Sequence, residues 1–288
     1  MLEKKHDIWF SEFHSEDVRF SLGLQETLYE EKTPFQHIKF MRNATFGNFF
    51  TLDGYIMITE KDEFIYHDMI CHPAMAVKPA IKRVLIIGGG DGGTAREVAK
   101  YPMIEKIDLV EIDERVVRLC QKYLPQTAAV FDQESRLELH FCDGLQFVNN
   151  AKDSAYDLIL VDSTDPIGPG KRLFTVDFYR NCFRVLSQEG ILINQHEGAF
   201  YDTDICEMKR VHNILKEVFP IAKVYGFNIP SYASGYWYFG FASKKLDPLL
   251  DIKSQKWQSL RIPTKYYNLE LHRGSFALPN YVQEILTQ

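Results

Sequence analysis

Long apolar runs are missing from this chain. The longest span four or five residues, against the ~20 that a bilayer-spanning helix needs, so no membrane segment is expected. The first ten residues, MLEKKHDIWF, carry no apolar core of the kind a secretory signal requires. Cysteine is scarce. Cys71, Cys120, Cys142, Cys182 and Cys206 are odd in number and scattered, with no C-x-x-C pair. Neither a zinc site nor a disulfide framework is therefore suggested, and a reducing cytoplasm suits the chain. Positive charge is short as well. Lys plus Arg total 33 against 39 for Asp plus Glu, a net −6, which argues against nucleic acid as a partner. There is no internal repeat, low-complexity segment or long charge run.

What is present is an ordinary globular composition, 45% hydrophobic and 25% charged over 288 residues, enough for one large α/β domain and a smaller piece. The chain is organised around residues 83–97, RVLIIGGGDGGTARE. A buried strand runs into a glycine turn and then a helix start. Gly88, Gly90 and Gly93 fit the dinucleotide fingerprint literally. Asp91 does not fit it: a carboxylate in that turn would repel a pyrophosphate, which needs bare amides at the helix N-terminus.

Residues 1–60 read as a small antiparallel sheet of four to six strands, with Asp53-Gly54 as a two-residue hairpin turn. Its many aromatics suit a core or an oligomer interface. From residue 61 the pattern changes to a helix carrying Phe64, Ile65, Met69 and Ile70, with an interruption expected at Pro73. Strands are expected at 84–87, 107–110, 137–141, 158–161 and 191–194. Helices are expected at 94–100, 114–123, 145–151, 176–186 and 204–217. This alternation predicts a mostly parallel sheet covered on both faces. Segments 222–228 and 236–243 read as an antiparallel edge pair, and 281–286 as a short closing helix.

Ligands of such sheets bind at the carboxyl ends of the strands. Each of the first four strands delivers acid there: Asp91, Glu111, Asp143, and Asp162 with Asp165. Taken one at a time, each has an ordinary structural role open to it, as a helix cap or a turn opener. Together they are expected to raise one another's pKa and to need a cationic ligand. Glu111, 20 residues beyond Asp91, is at the right distance to take ribose hydroxyls. A nucleoside bearing a positive group such as a sulfonium fits the whole set.

GGGDGGTAREV, VEID, DG and DSTDPIGP, in this order and spacing, resemble the polyamine aminopropyltransferases. EKTPFQHIKF, TEKDEFIYHDM and NIPSYASG match as well, so the resemblance covers about residues 8–285. It implies a Rossmann-like, methyltransferase-type α/β domain with a small N-terminal antiparallel β domain, assembled as a homodimer or homotetramer. It implies transfer of an aminopropyl group from decarboxylated S-adenosylmethionine to putrescine, giving spermidine and 5′-methylthioadenosine, with no metal and no redox cofactor. By residue, it implies that Gln36, Glu111, Asp143, Gly144 and Pro169 hold the nucleoside. Asp91 meets the aminopropyl amine and Asp162 is the general base. Tyr66, His67, Ser163, Thr164, Asp165, Gln195 and Tyr232 line the amine path. A neutral His67 would bond an amine, whereas a protonated one would repel it. The connection 163–175, with Gly168 and Gly170, is a candidate lid. Other acceptors (agmatine, cadaverine, spermidine), an S-adenosylmethionine methyltransferase and a non-catalytic binding protein on the same fold stay open at this point.

Overall fold

The structure, a computed structural model, describes residues 7–164 and 168–287, without the side chains of residues 168 and 169. Among the described residues, six strands precede the first helix. β1 (Trp9–Phe13) and β2 (Arg19–Gly23) form a separate antiparallel hairpin. β3 (Glu26–Lys32), β4 (His37–Asn43), β5 (Gly47–Leu52) and β6 (Tyr55–Thr59) form a four-stranded meander. Asp53 and Gly54 both take positive φ, 52° and 92°, the conformation of a hairpin turn that matches the strand twist. Both faces of the meander are covered. Ile38, Phe40 and Phe50 pack with Val116 and Leu119, while Met41 and Phe49 pack with Leu22 of the hairpin.

α1 (Glu63–Val77) runs straight through Pro73, so the expected interruption does not occur. Proline cannot donate to the carbonyl four residues back. That carbonyl, Met69 O, instead accepts the Tyr225 hydroxyl at 2.7 Å. Alternating strands and helices follow: β7 (Arg83–Gly88), α2 (Gly93–Ala99), β8 (Lys106–Glu111) and α3 (Glu114–Tyr123). Short α4 (Pro125–Ala128) and α5 (Val130–Gln133) lead to β9 (Leu137–Phe141), α6 (Gly144–Asn150) and β10 (Tyr156–Asp162). A 3-10 helix (Gly168–Phe174) precedes α7 (Val176–Val185), β11 (Leu186–Gln195) and α8 (Asp202–Val218). β12 (Ile221–Asn228), β13 (Tyr236–Ser243), α9 (Ser254–Ser259), α10 (Leu269–Ser275) and α11 (Asn280–Thr287) complete the chain.

The large sheet has the order β12-β13-β11-β10-β7-β8-β9. β11, β10, β7, β8 and β9 are parallel, and β13 and β12 form the antiparallel edge. Its central strands β7 and β10 are mainly apolar because helices cover both faces, whereas the edge strand β9 carries Glu138 and His140. β7 is where the chain turns from one half of the sheet to the other. The gap between the ends of β7 and β10 is thus the switch point at which ligands of such sheets bind. β11 begins five residues earlier than the apolar run at 191–194 suggests: Leu186 pairs with Tyr156, the register breaks over the mostly polar residues 187–190, and regular pairing resumes at Ile191.

Candidate active site

The glycine turn after β7 lies against the end of β10. Gly88 takes φ +83°, and a Cβ there would fall 2.0 Å from the Asp162 carbonyl oxygen. Only glycine permits that approach, and the Gly89 amide then donates to the same oxygen at 2.8 Å. A cavity of about 800 Å³ opens over this junction. The ends of β8 and β9, the 3-10 helix, the ends of β11 and the N-terminal strands close it.

Asp91 is buried on the cavity wall, and its Oδ1 accepts the Gly93 amide at 2.8 Å. The carboxylate therefore takes the turn amide that a phosphate would otherwise use. Burial pushes the Asp91 carboxyl up, but His67 and the Gly93 amide outweigh it and hold it below its ordinary value. His67 is fully buried behind Asp91, with Nε2 3.1 Å from Asp91 Oδ1 and Nδ1 2.5 Å from Glu63 Oε2. Burial disfavours its charge, yet Asp91 and Glu63 raise its pKa to about 10. His67 is thus an imidazolium, and it stands one layer behind the cavity surface. A doubly protonated ring has no lone pair for a metal, so the trio His67, Asp91 and Asp162, although compact, is poorly suited to bind one.

Asp162 accepts the Thr94 hydroxyl at 2.6 Å, and the buried Tyr66 hydroxyl faces it. Burial, then Asp91, raise the Asp162 pKa to about 6 against the pull of His67 and Thr94. Glu111 accepts the Asp113 amide at 3.0 Å through Oε1 and rises to about 7, chiefly by burial. Mutual repulsion is therefore not what governs every acid, as the crowding of carboxylates alone suggests. Asp91 moves the other way because a buried cation backs it. Asp143 caps α6 through the Leu145 amide at 2.8 Å and faces Arg172 at 2.7 Å.

Gln36, Gly144, Ser163, Thr164, Gln195 and Tyr232 also line the cavity. The Gln36 amide donates to Asp113 Oδ2 at 3.0 Å, which ties the N-terminal meander to the Glu111 turn. Asp165 and the Pro169 side chain lie outside the described residues. Four further acids line the cavity, Glu12, Glu197, Asp204 and Glu207, and the first two are buried. Glu12 of β1 is buried, accepts the Ile56 amide at 2.6 Å and sits 2.9 Å from His14 Nε2. Nothing in WFSEF marks it. Glu197 follows β11 with φ +66°. The strand-end rule finds it when carried one strand further.

Residues 63–254 match the spermine/spermidine synthase domain, and residues 8–60 match the spermidine synthase tetramerisation domain. The chain belongs to the polyamine aminopropyltransferase family. It is 63% identical over 276 residues to the polyamine aminopropyltransferase of Clostridium acetobutylicum, covering 96% of each chain. To that of Alkaliphilus oremlandii it is 55% identical, covering 97% of this chain and 98% of the relative. A spermidine synthase solved with the transition-state analogue AdoDATO superposes with TM-score 0.95 at 39% identity, covering 100% of this chain and 97% of that one. The spermidine synthase of Thermotoga maritima gives 0.93 at 39%, covering 99% and 95%. In this aminopropyltransferase the segment that matches the tetramerisation domain also supplies Glu12 and Gln36 to the cavity. Among the described residues, no helix is long and apolar enough to cross a membrane.

Proposed function

We propose that the protein moves the aminopropyl group of decarboxylated S-adenosylmethionine to putrescine, releasing 5′-methylthioadenosine and spermidine. The observation that carries this reading is a row of acids along one sheet edge. In strand order β9, β8, β7, β10, β11 they are Asp143, Glu111, Asp91, Asp162 and Glu197. At about 4.8 Å per strand the row spans roughly 19 Å, room for a nucleoside at one end and a diamine at the other.

Glu111 takes the ribose hydroxyls, with Gln36 beside it. Asp143, Gly144 and Pro169 hold the adenine. Asp91 takes the aminopropyl ammonium and repels the carboxylate of ordinary S-adenosylmethionine, so the far commoner nucleoside is disfavoured. The acceptor lies between Tyr66, Tyr232 and Trp237, whose rings suit both methylenes and ammonium. Gln195, Glu197 and Glu12 hold its distal nitrogen, and Ser163, Thr164 and Asp165 border the attacking one. His67 serves the amine path through Asp91.

The sulfonium is already a good leaving group, so the obstacle is the nucleophile. An alkylamine has a pKa near ~10.4 and is almost wholly protonated at neutral pH. Asp162 accepts that proton as the amine attacks the carbon next to sulfur. Charge disappears in this step, so a water-poor cavity favours it. No metal or redox cofactor is required. The enzyme is expected to work in the cytoplasm as a homo-oligomer, with 1–60 and 61–288 as its two units. The test is mass spectrometry of products from decarboxylated S-adenosylmethionine with putrescine, cadaverine, agmatine and spermidine. Methylthioadenosine release with putrescine as the fastest acceptor supports the reading. Faster turnover of another amine reassigns the acceptor, and no methylthioadenosine with any amine refutes it.

A further inference from the structure

Behind Asp91 lies a chain of alternating charges whose other members are not part of the cavity lining. His67 Nδ1 meets Glu63 at 2.5 Å. Arg96 grips Glu63 with both arms of its fork, Nη1 to Oε1 at 3.0 Å and Nη2 to Oε2 at 2.9 Å. The same guanidinium reaches Glu97 through Nε at 3.0 Å, and Glu97 meets His72 at 3.1 Å. Asp91, His67, Glu63, Arg96 and Glu97 thus alternate in sign from the cavity wall inward. The glycine turn closes on the ring: a Cβ on Gly93 would lie 2.1 Å from it, so only glycine lets the helix backbone pack on its edge.

We propose that Glu63 and Arg96 are positioning residues for the aminopropyl ammonium, holding His67 as the cation that keeps the Asp91 carboxylate ionised and aimed into the cavity. The inference rests on the function proposed above for Asp91. A fully buried imidazolium is costly unless it is paired on more than one side. Asp91 supplies one side and Glu63 the other. Arg96 in turn keeps Glu63 charged: burial would raise that carboxyl, but His67 and Arg96 bring it down to about 2. The groups facing His67 are Glu63 and Tyr66 of its own helix, Asp91 and Gly93 of the glycine turn, Arg96 through Glu63, and Asp162 of β10. Asp162 alone would not replace Glu63, since Thr94 and Tyr66 already engage it.

The experiment compares two nucleosides on the full chain. Decarboxylated S-adenosylmethionine carries the ammonium; methylthioadenosine does not. In calorimetric titrations Glu63→Gln is expected to weaken the first about tenfold or more and leave the second unchanged. Arg96→Met is expected to act in the same direction and Arg96→Lys less strongly, since lysine keeps the charge without the fork. In a His67→Gln background, adding Glu63→Gln is expected to change nothing further, because both act through one ring. Nitrogen-15 NMR of the histidines gives a readout independent of nucleoside. The His67 ring, assigned by its loss in His67→Gln, should stay protonated at about pH 8 in the wild type and titrate below that in Glu63→Gln. Equal losses for both nucleosides, a full additional loss in the His67→Gln background, or a neutral His67 in the wild type at about pH 8 would overturn the proposal. If the wild type binds methylthioadenosine but not the decarboxylated nucleoside, the proposed function falls, and the NMR comparison still judges the charge on His67.

Discussion

In the proposed reaction, Asp162 and Glu111 are the residues whose environment most directly sets activity. Asp162 must be ionised to accept a proton, and its pKa is about 6. Turnover under saturating nucleoside is therefore expected to fall as pH drops through about 6, and the rate profile should lose that limb in Asp162→Asn. That variant should lose about 10²–10⁴ in kcat while methylthioadenosine affinity, read by calorimetry, stays within a few-fold. Glu111 titrates near 7 in the empty site. Ribose hydroxyls donate to the ionised form and so lower its pKa on binding. Nucleoside affinity should thus weaken as pH falls through about 7, with proton release on binding. Calorimetry in buffers of different ionisation enthalpy measures that release; none at about pH 6.5 would remove Glu111 from the ribose role.

Among the elements, α1 bears the greatest burden. Its Glu63, Tyr66 and His67 serve the site. The next residue, Asp68, accepts three backbone amides, those of Lys265, Tyr266 and Tyr267, at 2.7–3.1 Å and so anchors the C-terminal segment. Pro73 survives mid-helix only because Tyr225 satisfies Met69 O. Tyr225→Phe should then cost about 1–3 kcal/mol of unfolding free energy, the price of a buried unsatisfied carbonyl. In a Pro73→Ala background the helix regains its own donor, and the cost should shrink. Denaturant unfolding of the four proteins closes this cycle; an unchanged cost would mean the hydroxyl matters for packing instead.

At the scale of the whole molecule, the site trades stability for chemistry. Asp162 and Glu111 have folded-state values above their ordinary ones. Their stability is intact below about pH 4, where they are neutral folded or unfolded, and is lost as pH rises through about 6 to 7. Removing the Asp162 charge should accordingly raise the melting temperature of the empty enzyme by ~2–4 °C at about pH 8, with the gap closing near pH 4. A variant that melts lower at both would contradict this. Assembly is the other property of this scale. Ile8 and Trp9, just before and at the start of β1, are 67% and 50% exposed in the segment that matches the tetramerisation domain. Ile8→Glu with Trp9→Glu should shift the oligomer toward smaller species by light scattering. Because Glu12 of the same hairpin lines the cavity, acceptor KM should rise with dissociation.

Much of this was legible in the residues because the strand-end rule is local. An apolar run, a glycine turn and an acid are contiguous in sequence, so Asp91, Glu111, Asp143 and Asp162 could be placed at one edge, and the Asp53-Gly54 turn follows from what its backbone demands. Short α4, α5, α9 and α10 escaped because helices of four to seven residues show too little period to be read. Glu12 reached the cavity unannounced because a two-stranded hairpin carries it there from a distant part of the chain. The sign of charge behind Asp91 was equally hidden. His67, Glu63 and Arg96 come from two helices, and only their packing raises the pKa of the buried His67 to about 10. Local order thus determined which acids stand at the strand ends; the tertiary structure added Glu12 to the cavity and decided which acids are held charged, since burial and packed partners, not sequence neighbours, set a pKa.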